Sequence, residues 1–151
     1  MASDASRRIV VFRVGAERFA LPLAAVNEVI DMPPVQRLPD SSDDILGMAT
    51  LRGEPVTIYD PRPLLDAGSD AFDMVLLFVT DNRCIGLAIN DVFDPILIKV
   101  DELRSAPGVD AADGLLLGVV RRGTDLIGVL DHGALLRAFA AGDEKSEGVT
   151  E

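Results

Sequence analysis

His132 is the single histidine and Cys84 the single cysteine among 151 residues, which limits what chemistry the chain can do. Neither a two-histidine nor a cysteine-based metal site can be assembled from them, and no disulfide can form within the chain. A Ser-His-Asp array would have to use His132. Its neighbour Asp131 follows directly in the chain, so at a strand end the two side chains diverge, and His132 stands where a helix is expected to start. No Gly-x-Gly-x-x-Gly run, phosphate-binding loop or Gly-x-Ser-x-Gly elbow occurs. The paired carboxylates Asp43-Asp44 and Asp101-Glu102 are adjacent rather than spaced to face one another, the pattern of caps and solvated turns. Cys84 lies in an apolar stretch and is expected to pack as a small hydrophobe. No catalytic residue, metal ligand or cofactor is expected.

Arg52, in Leu51-Arg52-Gly53, is the side chain that stands out. It is a long cation at a tight turn of an acidic chain, and the glycine beside it permits the positive φ that aims the arginine outward. Two readings stay open: an anchor for a partner, since arginine is favoured at interface hot spots, or a local salt bridge to Glu54, Asp60 or Glu28.

Composition narrows the function classes. The formal net charge is −11, so phosphate backbones are repelled and nucleic-acid binding is not expected. Only 5% of residues are aromatic and there is no Trp, which leaves no stacking platform and requires an aliphatic core. No apolar run approaches the roughly 20 residues that span a bilayer, and the N-terminus lacks a signal-peptide segment. A cytoplasmic protein without membrane insertion is expected.

The elements that would position Arg52 are short strands. Ile9–Val14 and Arg18–Leu23 read as a hairpin, and Met48–Leu51 and Val56–Tyr59 as strands flanking the Arg52 turn. Asp40 to Asp44 resembles a capping cluster and predicts a helical turn through Ile45-Leu46 that stops at Gly47. A second series follows: Met74–Thr80, Cys84–Ile89, Ile96–Val100, Leu115–Val120 and Asp125–Leu130. The one longer helix expected is His132–Ala141, with a disordered acidic tail over 143–151.

The two series superimpose. A shift of 66 residues places Phe12 on Phe78, Leu21 on Leu87, Val26 on Val92 and Glu28 on Asp94; a shift of 71 places Gly47 on Gly118, Asp60 on Asp131 and Leu64-Leu65 on Leu135-Leu136. We read this as an internal duplication in an all-β chain. Units this small remove their exposed strand edges by closing into barrels.

These residues also carry a family resemblance. Phe19-Ala20-Leu21-Pro22-Leu23, Val26-Asn27-Glu28-Val29, Leu38-Pro39, Ile45-Leu46-Gly47 and Leu51-Arg52-Gly53 leading to Asp60-Pro61-Arg62 resemble the first half of the CheW family. Ile85 to Val92, Ser105-Ala106-Pro107, and Leu117-Gly118 leading to Leu130-Asp131 resemble its second half. The resemblance implies one CheW-like domain over 8–142, made of two SH3-like five-stranded β-barrel subdomains, about 9–66 and 73–131, with a C-terminal helix about 132–141. It further implies a non-enzymatic chemotaxis adaptor that couples chemoreceptors to the histidine kinase CheA. The partners would be the kinase's regulatory domain and the receptor's cytoplasmic hairpin tip, met at membrane-associated arrays. Carried over by position, the partner-binding residues are Val26, Glu28, Gly47, Arg52, Gly53, Gly86 and Val92. In this resemblance Arg52 and Glu28 form a polar pair that positions the interface. Plain barrel packing is an alternative for Gly86 and Val92.

The chain departs from the family pattern at Thr57, where Pro is usual, at Pro61, where Leu is usual, and at Asn90, where Asp is usual. These changes bear on which kinase and receptors the chain serves. Alternatives of other kinds are a CheW-like scaffold in a non-chemotaxis kinase pathway and a barrel that senses a small apolar ligand.

Overall fold

Apolar runs such as Ile-Val-Val-Phe and Met-Val-Leu-Leu-Phe-Val lack the alternation of a half-solvated strand, and a strand without alternation must be covered on both faces. A computed structural model, which describes residues 6–37, 39, 43–65, 71–80, 83–105 and 114–139, supplies both covers. Its strands are β1 (Ser6–Val14), β2 (Glu17–Pro22), β3 (Val26–Asp31), β4 (Ile45–Leu51), β5 (Glu54–Tyr59), β6 (Met74–Thr80), β7 (Arg83–Ile89), β8 (Asp91–Val92), β9 (Ile96–Lys99), β10 (Leu116–Arg122) and β11 (Asp125–Leu130). A one-turn helix α1 (Arg62–Leu65) follows β5, and helix α2 (132–139) follows β11.

The strands form two sheets, each curling into a small barrel. Barrel one is ordered β3-β6-β7-β5-β4; barrel two is ordered β10-β11-β2-β1-β8, with β9 also on β1. One face of each hairpin fills a barrel interior: Val75, Leu77 and Ala88 join Ala49, Val56 and Ile58 in barrel one, and Ile9, Val11 and Ala20 join Ile98, Val120, Ile127 and Val129 in barrel two. The opposite faces meet between the barrels. There Phe12, Leu21, Leu76, Phe78 and Leu87 pack with Leu135, Leu136 and Phe139 of α2. The all-β fold with two SH3-like barrels and a terminal helix is therefore as expected.

The duplication is visible residue by residue. Val26 pairs with Phe78 in barrel one, and the equivalent Val92 pairs with Phe12 in barrel two. The parallel contacts match too, Ile58 with Gly86 and Val129 with Ala20. Both β4–β5 and β10–β11 carry a register shift at the equivalent glycine, Gly47 or Gly118. The amide of Asp60 donates to the Asp44 carbonyl at 2.8 Å, and that of Asp131 to the Leu115 carbonyl at 2.8 Å.

The barrels do not coincide with the two halves of the chain, however. Hairpin β1–β2 of the first half completes barrel two, and hairpin β6–β7 of the second half completes barrel one. Sequence similarity reports the repeat unit; hydrogen bonding reports which repeat each hairpin closes, and it closes the other one. Barrel two also counts six strands rather than five. Pro95 falls opposite Val29 in the repeat and breaks the equivalent of β3 into β8 and β9, because proline has no amide to donate.

Two local expectations change. Ile45 and Leu46 belong to strand β4 rather than a helical turn. As strand residues Leu46 packs against the barrel-one interior and Ile45 against the core between the barrels, more apolar cover than one turn of helix would give. Of the expected cap, Asp40 to Ser42 lie outside the described residues, as do the helix end at Ala141 and the tail 143–151.

Candidate partner-binding site

Strands β4 and β5 are joined by only two residues, and such a loop favours positive φ at both positions because the turn must match the strand twist. Arg52 has φ 52° and Gly53 has φ 81°. The hairpin tip projects into solvent, where a Cβ on Gly53 would meet nothing within 4 Å. From this tip the arginine side chain, 73% exposed, bends to β3: Nη2 donates to Oε1 of Glu28 at 2.7 Å and to Oε2 at 2.9 Å. Strands β3 and β4 are the two ends of the barrel-one sheet. The pair therefore bridges the seam at which the barrel closes. Of the partners the sequence left open, Glu28 is the one engaged, and Asp60 is committed elsewhere.

Asp60 is buried at the end of β5 and belongs to Arg62. Arg62 Nη2 donates to Oδ2 at 2.6 Å, Nε to Oδ1 at 2.9 Å, and the Arg62 amide to Oδ1 at 2.9 Å, so the carboxylate both caps α1 and fixes the guanidinium. These bonds hold the arginine's pKa above its ordinary value, against partial burial. The guanidinium lies 4.8 Å from the ring centroid of Phe72. Asp131 repeats the cap on α2, accepting from the Gly133 amide at 3.0 Å.

The other expected contact residues divide by burial. Val26 and Val92, equivalent in the repeat, are half-buried and pack against the core between the barrels. Gly47 and Gly86 are buried and offer no surface. A Cβ on Gly86 would lie 2.8 Å from Val75 Cγ1 and 3.2 Å from Ile58 Cγ1, and one on Gly47 would press on Val35 and sit 2.6 Å from the Gln36 carbonyl oxygen. Both glycines are there for close packing, the alternative already open for Gly86.

Cys84 corrects an expectation. It is exposed on β7 rather than packed. Surrounding protein and the Glu28 carboxylate push its thiol pKa up, while Arg52 pulls the other way. Sequence alone held no signal for this, because Cys84, the second residue of β7, is followed by the apolar run Ile85 to Ile89. His132 is half-buried at the start of α2. Among the described residues no group of three His, Cys, Asp or Glu is arranged to hold a metal ion.

Two of the three departures from the family pattern, Asn90 and Pro61, have local explanations. Asn90 accepts from the Gly15 amide at 2.7 Å and donates from Nδ2 to the Ala71 carbonyl at 3.1 Å, a second bond that a carboxylate could not give. Pro61 follows the end of β5 and leads into α1, where its missing amide is harmless, and its carbonyl accepts from Leu65 at 2.8 Å. Thr57 lies within β5 opposite Met48.

Barrel two ties its seam with a different arginine: Arg122, the last residue of β10, donates from Nη2 to the Leu97 carbonyl of β9 at 2.8 Å and pairs with Glu102 at 3.4 Å. The tip of β10–β11 is Gly123-Thr124 where barrel one has Arg52-Gly53, and Arg18 faces Asp125 at 3.8 Å and Phe93 at 4.5 Å.

Two interlocked SH3-like barrels, with an exposed arginine tied across the seam of barrel one, define a double-barrel domain. The chain belongs to the CheW-like domain family, whose model matches residues 8–140. It is 25% identical over 135 residues to the chemotaxis protein CheW of Klebsiella aerogenes, covering 86% of this chain and 81% of that one. It is 26% identical over 139 residues to the CheW of Treponema pallidum, covering 85% and 81%. The crystal structure of the scaffolding protein TtCheW from Thermoanaerobacter tengcongensis matches with a TM-score of 0.75 at 20% identity, covering 84% of this chain and 90% of that one.

Proposed function

We propose that the chain is a non-catalytic chemotaxis scaffold that couples chemoreceptors to a CheA-type histidine kinase. Membership of the CheW-like family supports the scaffold class, and relatives named as chemotaxis proteins support the pathway. The observation that carries the finer reading is the Arg52–Glu28 pair on an exposed hairpin tip. Arginine 73% exposed in an acidic chain is available to a partner while Glu28 fixes its direction, which lowers the entropy lost on binding. Arg52, Gly53 and Glu28 would meet the kinase regulatory domain, with Val26 at the margin of the same face. The receptor's hairpin tip would lie in the groove between the barrels, near Val92, by the helix-in-groove mode.

No helix among the described residues is long and apolar enough to cross a membrane. In this proposal the protein is cytoplasmic and reaches membrane-associated arrays through its partners. The test is a titration of the full chain against the regulatory domain of the cognate kinase and against the receptor tip. Binding to both is expected; binding to neither overturns the proposal.

A further inference from the structure

We infer that the reciprocal exchange of hairpins makes the two barrels one cooperative unit, in which neither can open without the other. Hairpin β1–β2 brings Ile9, Val11 and Ala20 to the interior of barrel two, and its other face brings Phe12 and Leu21 to the core between the barrels. Hairpin β6–β7 does the same in reverse, with Val75, Leu77 and Ala88 inside barrel one and Leu76, Phe78 and Leu87 in the shared core. Withdrawing either hairpin removes one wall of a barrel and strips large apolar side chains from the core between the barrels in a single movement. The backbone adds to the lock. Asn90, just after β7, donates its amide to the Arg13 carbonyl at 2.9 Å, and its side chain accepts from the Gly15 amide at 2.7 Å, so the end of one hairpin is tied to the turn of the other.

In an ordinary tandem of two small domains, each core is made by its own stretch of chain and opens at its own free energy. Here each stretch contributes to both cores. Stabilisation gained at a surface of barrel one is then felt equally by the strands of barrel two, since a ligand that binds the folded state stabilises the whole cooperative unit. This conclusion stands on the topology and does not depend on the partners proposed above.

Native-state hydrogen exchange on the full chain, with Val56→Ala in barrel one and the milder Ile127→Val in barrel two, tests it. Each variant is expected to lower the protection of slow amides in β5 and β11 by the same factor within about twofold, at least tenfold for Val56→Ala if it folds. Ile127→Val carries the comparison in either case. A loss of protection confined to the barrel that holds the substitution overturns the inference.

Discussion

Arg52 and Glu28 are 24 positions apart and join the two ends of one sheet through a single nitrogen, Nη2, which holds both carboxylate oxygens at 2.7 and 2.9 Å. The pair closes a seam and at the same time aims a cation outward. An exposed ion pair contributes only about 0.2–1 kcal/mol to stability, so its larger effect is on what the hairpin tip presents.

Replacing Arg52 by Asn separates the two roles. Asn tolerates the positive φ that costs arginine strain, so the turn is kept while the charge and the bond to Glu28 are lost. Chemical denaturation of Arg52→Asn should show stability within about 1 kcal/mol of the wild type. Binding of the kinase regulatory domain should fall at least tenfold.

Gly86→Ala and Gly47→Ala should behave in the opposite way. Each added methyl enters an occupied space, and overpacking costs typically about 1–3 kcal/mol. Gly47→Ala should cost more, because one of its neighbours is the backbone carbonyl of Gln36, which yields less readily than the Val75 side chain. Thermal unfolding read by circular dichroism checks the order.

Phe139 stacks on Tyr59 with ring centroids 4.1 Å apart and thereby pins α2 to the end of β5. Phe139→Ala should destabilise the fold by about 3–5 kcal/mol, as for other buried aromatic truncations. A change below about 1 kcal/mol would show that α2 does not contribute to the shared core.

The thiol of Cys84 offers a reporter on the pair. Its pKa is raised by partial burial and by Glu28, and lowered by Arg52, so alkylation at neutral pH should be slow for an exposed cysteine and should accelerate as pH rises. Glu28→Gln removes a charge that disfavours thiolate and should speed the reaction. Arg52→Ala removes the opposing charge and should slow it. Rates of iodoacetamide labelling across a pH series check both signs.

Much of the barrel framework was legible in the chain. The apolar runs gave most strands, and the match of Gly47 to Gly118 and Asp60 to Asp131 gave the duplication, because bulges and caps demand particular residue types. Which hairpin joins which barrel was not legible, since equivalent hairpins present equivalent apolar faces and only long-range pairing distinguishes them. Ile45 and Leu46 looked helical beside a cluster of capping residues, but a sheet edge outcompetes one helical turn. Arg52 stood out by charge and turn chemistry, and Glu28 was among its expected partners. The exposure of Cys84 was hidden because solvent reaches a strand end whatever its neighbours in sequence.

The central claim is that the seam pair serves a partner. Isothermal titration of the cognate kinase regulatory domain into the full chain and into Arg52→Glu measures this most directly, with denaturation of both proteins run alongside. The account predicts tight binding by the wild type, a loss of at least tenfold in Arg52→Glu, and a folded variant. Equal affinity in a folded Arg52→Glu variant would contradict it.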